Sequence, residues 1–308
     1  MQVPKFLLDP LIRHKARLHD VPLDRYTVRV ATTAQEYEDA FRLLQVAFIV
    51  QGYESVRARP FRITRHHVLP EATVLVAYEG NRLVGTMTLT LDSPAGLPMV
   101  ERHYGAAVAA LRRDGVRLSE WGSLAVLAPC VGTGVTLLLN MAAYRHSCHQ
   151  LGATHALVEV HPRGLALYRA LFGFEPIGPV VPHGELQVDI VGLALDLYGA
   201  RDFVRRRFNK PMSTGKSVFE HFMDPPACVQ LPPLMSDESY AMWKMPPPLF
   251  DRLFSEKSDV LALLTPEVRS HLCRSMARRA PEDVPESLMG LVRSGTMASL
   301  PSPPTTMR

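Results

Sequence analysis

With 308 residues, 47% of them hydrophobic and 21% charged, the chain suits one large domain or a core of about 200 residues with an appendage. A net charge of +4 is too mild to demand nucleic acid, and no apolar run approaches the roughly 18 residues that span a bilayer. Near the N-terminus only Phe6-Leu7-Leu8 is an apolar cluster, too short for a signal-peptide core, and the four cysteines share no metal-ligand spacing. These features lead us to expect a cytoplasmic protein with free thiols, with peripheral membrane contact left open.

Residues 1–24 carry prolines and mixed charge without clear periodicity and read as an arm. Tyr26 to Val30 alternates as a first strand. Thr33 with Glu36 forms a capping box, and Tyr37, Ala40, Phe41, Leu44, Ala47 and Phe48 recur at helix spacing up to Gly52. A basic stretch follows with Arg57, Arg59, Arg62 and Arg65. Thr73 to Tyr78 and Leu83 to Thr90 read as a hairpin about Gly80-Asn81. Residues 99–114 look helical and lead into a strand containing Glu120 to Val126. Gly132-Thr133-Gly134 then opens a helix running to Gly152. Ala156 to Val160 is a strand, Leu165 to Leu171 a short helix ending at Gly173, and Leu186 to Leu197 strand material again. A β-α-ββ-α-β-α-β-α-β order describes a mixed sheet with helices on its faces.

Beyond Tyr198 the composition shifts. Arg205, Arg206, Arg207 and Lys210 form a basic run, and eight prolines fall between Pro211 and Pro248. Two helices are expected after that, Leu249 to Leu264 and one with Pro266 at its first position. The resulting division is an arm (1–24), a catalytic domain (25–200), a basic, proline-rich and helical extension (201–290) and a disordered tail (291–308).

The chemistry centres on Ser119-Glu120-Trp121-Gly122-Ser123. Glu120 is the candidate base for an amine nucleophile, and Leu124-Ala125-Val126 a candidate source of N–H donors to a thioester oxygen. Behind them, Gly132-Thr133-Gly134 at a helix N-terminus can hold phosphate. Ser123 reads as a substrate contact, because no Asp-His pair is placed to activate it as a nucleophile. Tyr168 is either an acid for a leaving thiolate or a packed core tyrosine. His66, His67 and His161 have no metal spacing and read as surface or cleft histidines. Thr214-Gly215-Lys216-Ser217 is no phosphate loop, since Lys210 stands where the leading glycine is required.

This element order, with its glycine turn, resembles the GNAT-fold acyltransferases. The resemblance implies an α/β (α+β) fold, a mixed central sheet with helices on both faces, here with a C-terminal extension. Pro129 stands where those enzymes carry a basic residue, which favours a carrier protein's phosphopantetheine over coenzyme A. Asp92 to Pro98, Glu120 to Val126, and His161-Pro162-Arg163 followed by Leu167 to Phe174 occur in the order seen in the FeeM-type long-chain N-acyl amino acid synthases. These are cousins of the acyl-homoserine-lactone synthases, and the likeness spans residues ~26–198. It implies transfer of a fatty acyl group from acyl carrier protein to an amino acid's α-amine, without a permanently bound cofactor. On this pattern Glu120 and Tyr168 are catalytic, and Ser123, Trp121, His161 and Arg163 contact substrate. Leu124, Ala125, Val126, Gly132, Thr133 and Gly134 hold the donor. Gly122-Ser123 replaces a common Ser-Arg pair, and Gly164 a common His. A coenzyme A-dependent N-acetyltransferase and a catalytically silent binding module are the alternatives. The basic clusters would suit an acidic carrier protein.

Overall fold

The computed structural model describes residues 5–16, 18–53, 60–97, 99–232, 245–276 and 281–293. The first strand, β1 (Thr27–Val30), buries Val28 and Val30 in one core cluster. The capping box is in place: Glu36 N–H donates to the Thr33 hydroxyl, and Thr33 N–H donates to the Glu36 carboxylate. It starts α2 (Ala34–Val50). The hairpin follows as β2 (Ala72–Glu79) and β3 (Arg82–Leu91). Next come α3 (Val100–Arg113), β4 (Leu118–Val126), α4 (Val135–Arg145), β5 (His155–Val160) and α5 (Leu165–Phe172). The strand expected over 186–197 is β8 (Val188–Asp196). Two shorter strands pair with it, β6 (Glu175–Pro176) and β7 (Val181–His183), too brief to show a period.

The sheet order is β6-β8-β5-β4-β3-β2-β1-β9, where β9 is Val229–Gln230, with β7 attached to β8. Only β4–β5 and β1–β9 are parallel among these pairs. One face carries α4 and α5 over Leu75, Ala77, Ala156, Val158 and Leu193. The other carries α2 over Val74 and Val76, and α3 over Leu118 and Leu157. Alternation along each strand sends neighbouring residues to opposite layers.

Several details depart from the sequence reading. The arm holds a helix, α1 (Lys5–Ala16), pinned on α5 by Asp9 to Arg169 at 3.1 Å and by Arg13 donating to the Ala170 carbonyl. Its docking is tertiary, which is why no apolar stripe announced it. The helix expected to reach Gly152 stops at Arg145 and continues as a π turn, His146–Gln150. Arg205, Arg206 and Arg207 of the basic run lie on α6 (Leu197–Arg207) and Lys210 just beyond it, before α7 (Val218–Met223). Val229–Gln230, β9, then adds an edge strand from the extension to β1.

The helix expected over Leu249–Leu264 is divided. It comprises α8 (Pro247–Asp251), a π turn at Arg252–Glu256 and a 3-10 turn at Val260–Leu263. Ser258 Oγ accepts the Val260 N–H at 3.0 Å, a side-chain bond that competes with a continuous helix. Pro266 does open the next helix, α9 (Pro266–Met276), and α10 (Glu286–Arg293) closes the described chain. Phe250, Phe254 and Leu272 share one buried cluster with Tyr37, Phe41, Val74 and Val76, so the extension covers the outer layer. Arg57, Arg59 and residues from 294 onward lie outside the described residues. Among the described residues, no helix is long and apolar enough to cross a membrane.

Candidate active site

The site begins as an interruption of the sheet. β4 pairs with β5 only at Leu118↔His155, Ser119↔Ala156 and Glu120↔Leu157, so the two strands part beyond that point. On its other side β4 carries a bulge: Gly122 pairs with Thr88 and Ala125 with Thr86, leaving two residues opposite one. Ser123 takes the bulge, at φ 49°, a left-handed conformation rare for a residue with a β-carbon. The extra residue resets the alternation. Trp121, Leu124 and Val126 pack into the core beneath α4, whereas Ala125 packs against Leu43 and Leu44 of α2.

Ser123 faces a polar cavity on the α3 side of the sheet, shared with His66, Met99, His103, Glu159 and His183. No partner for Ser123 is legible nearby in sequence, yet the fold brings one. His66 Nε2 lies 2.9 Å from Ser123 Oγ, and its Nδ1 lies 2.8 Å from Thr64 Oγ1. His66 and His67 are buried, not surface residues. Burial, with Arg62 and Arg65 adding to it, pushes the His66 pKa down to about 3, so its imidazole is neutral and orients the serine hydroxyl. Gly122 now has a reason: a Cβ there would stand 2.0 Å from Met99 Cε, so the glycine seats the methionine at the cavity wall.

Two carboxyl groups mark the parting strands. Glu120 is buried, and its Oε2 accepts the N–H groups of Met99 and Val100 at 3.2 and 3.0 Å. It therefore caps the N-terminus of α3 from another element, and its Oε1 is buried without a hydrogen-bond partner among the described residues. Glu120 is not in the cavity wall; Glu159 is. Glu159 Oε1 lies 2.8 Å from His103 Nδ1, and the two side chains are 10% and 11% exposed. Burial pushes both carboxyls up to about 8; the two N–H bonds oppose this at Glu120, and Arg102 opposes it at Glu159. Sequence reasoning passed over Glu159, whose one signal was a charge within Ala-Leu-Val-Glu-Val.

The opposite face is apolar. Trp121 donates Nε1–H to Ser147 Oγ at 2.9 Å and, with Tyr144, Phe172, Leu195 and Val204, lines a narrow apolar pocket. Tyr168 packs 5.5 Å from Phe174, which lies 6.1 Å from Trp121, and burial holds its phenol up to about 12. Gly132 and Gly134 have φ of 79° and 107°, and α4 begins just after them. Gly134 also lets Val21 close in, since a Cβ would sit 2.1 Å from Val21 Cγ1. Tyr26 O–H donates to Thr133 Oγ1, which donates to the Cys130 carbonyl, fixing the turn. His161 caps a 3-10 turn through its Nδ1 and the Arg163 N–H, at the end of β5, and neither residue lines the polar cavity.

The model of the N-acyl amino acid synthase FeeM family matches residues 39–196, just over half the chain. The chain belongs to this family. FeeM from uncultured soil microbes aligns with a TM-score of 0.51 at 22% identity, over 58% of this chain and 95% of that one. The resemblance shows a shared GNAT-like acyltransferase fold. A CoA-dependent acyl-homoserine lactone synthase, BjaI, with SAM and isopentyl-CoA, gives 0.49 at 18% identity over 70% and 97% of the two chains. The AHL synthase LasI gives 0.44 at 15% over 56% and 90%. No curated protein matches the chain. The span matched to the FeeM family holds the bulge, both carboxyls and Tyr168, and the extension lies outside it.

Proposed function

We propose that this FeeM-family protein moves a long-chain fatty acyl group from acyl carrier protein to the α-amine of an amino acid, by direct attack on the thioester. The observation that carries this reading is the gap between β4 and β5, with a polar cavity on one face and an apolar pocket on the other. The donor comes from the α4 face. Its phosphodiester lies at Gly132-Thr133-Gly134, where the N-terminal end of α4 favours an anion. Its thioester reaches the gap beside Leu124, Ala125 and Val126, and the acyl chain runs toward the pocket beside Trp121. We assign His161 and Arg163 to the arriving pantetheine arm.

The amine enters from the polar cavity, where Ser123 and the arginines Arg62 and Arg65 suit an amino acid's polar groups. Its ammonium must lose a proton before attack, and the acceptor is one of the two carboxyls at the gap, Glu120 or Glu159, both poised near the working pH. Tyr168, protonated at neutral pH, supplies a proton to the leaving thiolate. Carrier protein is favoured as donor because Pro129 offers no charge for a second phosphate, and because Arg205 and Arg206 are exposed on α6, which packs on α5. Such a partner places the reaction in the cytoplasm.

The test is the purified protein with a palmitoyl thioester, on carrier protein or on coenzyme A, and a mixture of amino acids, read by mass spectrometry. N-palmitoyl amino acids formed with the higher kcat/KM from carrier protein are expected. Equal use of coenzyme A would remove the carrier preference. Acetyl transfer alone would indicate a conventional N-acetyltransferase, and no product a silent module.

A further inference from the structure

The two carboxyls at the gap are unlike in what surrounds them, and that difference separates their roles. Both lie on the α3 face of the sheet: Glu120 pairs in register with Leu157, and Glu159 stands two residues beyond it on the same face. Glu120 lies under the first turn of α3, with one oxygen committed to two backbone N–H groups. Glu159 lies past the last β4–β5 pair, opposite Gly122, where the strands have opened and the cavity begins.

We propose that Glu159, oriented by His103, accepts the ammonium proton of the acceptor, while Glu120 positions the N-terminus of α3 and does not touch substrate. The assignment rests on the proposed acyl transfer. His103 Nδ1 engages one oxygen of Glu159 and leaves the other for the amine. The ring of His183 lies 5.0 Å from that of His103 and buttresses it from the β7 hairpin. Charged and titratable groups surround Glu159 on three further sides. Arg102 and Tyr104 are on α3, Glu120 is on β4, and Glu185 follows β7, paired to Arg102 at 2.6 Å. Arg62, Arg65 and His66 line the cavity from the segment before β2. The two carboxyls at the gap and the guanidinium groups of Arg62 and Arg65 in the cavity lining match the two charges of a zwitterion, with its ammonium toward Glu159.

The protons balance as follows. Of the three on the ammonium, one passes to Glu159 and on to solvent, one restores the phenol proton that Tyr168 gives to the departing thiolate, and one remains on the amide nitrogen. The N–C bond forms as the C–S bond breaks, with no oxidant or further reactant.

The test compares wild type, Glu159→Gln, Glu120→Gln and His103→Asn, with folding checked by thermal melting. The acceptors are an amino acid, a simple alkylamine, and hydroxylamine, which is already unprotonated at neutral pH. For Glu159→Gln we expect a loss of about 10²–10⁴ in kcat/KM for the amino acid, with the thioester KM unchanged. We also expect the wild-type rise toward pH 8 to vanish, and the deficit with hydroxylamine to shrink to a few fold. Glu120→Gln should keep the pH profile, and His103→Asn should shift it. Equal loss of Glu159→Gln with hydroxylamine and amino acid, or loss of the pH-dependent limb only in Glu120→Gln, would overturn the assignment. A wild type that acylates the alkylamine but no amino acid ends the acceptor reading, while the Glu159 comparison still decides the base. A wild type inactive with every amine overturns both.

Discussion

A buried carboxyl whose pKa is raised has a cost that can be measured at the residue scale. Glu120 is moved from 4.5 to about 8 by burial, so the folded state binds its proton more tightly than the unfolded chain does. The stability it contributes is complete below about 4.5 and is lost as pH rises through about 8. Glu120→Gln keeps an oxygen for the Met99 and Val100 N–H groups and cannot ionise. Its stability relative to wild type should therefore be near zero at pH 4 and grow to the order of 5 kcal/mol at pH 9. Urea melts across that range check the trend, and a flat difference would place the Glu120 proton elsewhere. Glu120 was found in the sequence because it interrupts an apolar strand beside small residues. His66 and His103 were not, because each meets its partner 57 and 56 positions away.

At the scale of single elements, the helix ends were the readable part. The capping box of α2 and the glycine closing α5 are local rules, satisfied within three or four residues. Gly173 has φ 86°, and a Cβ there would stand 3.0 Å from two ring atoms of Phe203 on α6. Gly173→Ala should cost about 2 kcal/mol, from the left-handed backbone and the displaced ring, as read by chemical denaturation. The same element pair leads to the surface proposed for the carrier protein. Arg205 is partly neutralised by Asp202 at 2.9 Å, and Arg207 stacks 3.9 Å from the Phe203 ring. Reversing Arg205 and Arg206 to Glu should raise the carrier-protein KM several fold at low salt and leave the acyl-coenzyme A KM unchanged, the difference fading in high salt. An unchanged carrier KM at low salt would remove α6 from the docking surface.

At the scale of the whole molecule, the C-terminal extension is built into the fold. Phe250 is fully buried, its ring centre 4.6 Å from that of Phe254, in the cluster that includes Phe41 of α2 and Val74 of β2. Phe250→Ala should cost about 3–5 kcal/mol by emptying that cluster. It should also lower activity as pH-independent loss of folded protein, which denaturation and activity measured together would show. The extension also reaches the site. A groove runs from Arg62, Arg65 and Arg102, which also line the cavity, to Val260, Leu263 and Val268. His271 holds this wall to Glu71, before β2, at 2.8 Å.

The sequence by itself determined the order of strands and helices, the hairpin, the glycine turn before α4, and the ordered motifs of the N-acyl amino acid synthases. All of these depend on residues a few positions apart, where backbone propensity and side-chain period decide. It also put Glu120 on the right strand. The tertiary structure alone decided that α1 packs on α5, that β9 extends the sheet, and that Ser123 meets His66. It also gave the two carboxyls different surroundings. Strand period assigns Glu120 and Glu159 to one face but says nothing of what covers that face. The N-terminus of α3 covers Glu120, and the parting of β4 from β5 leaves Glu159 open to the cavity.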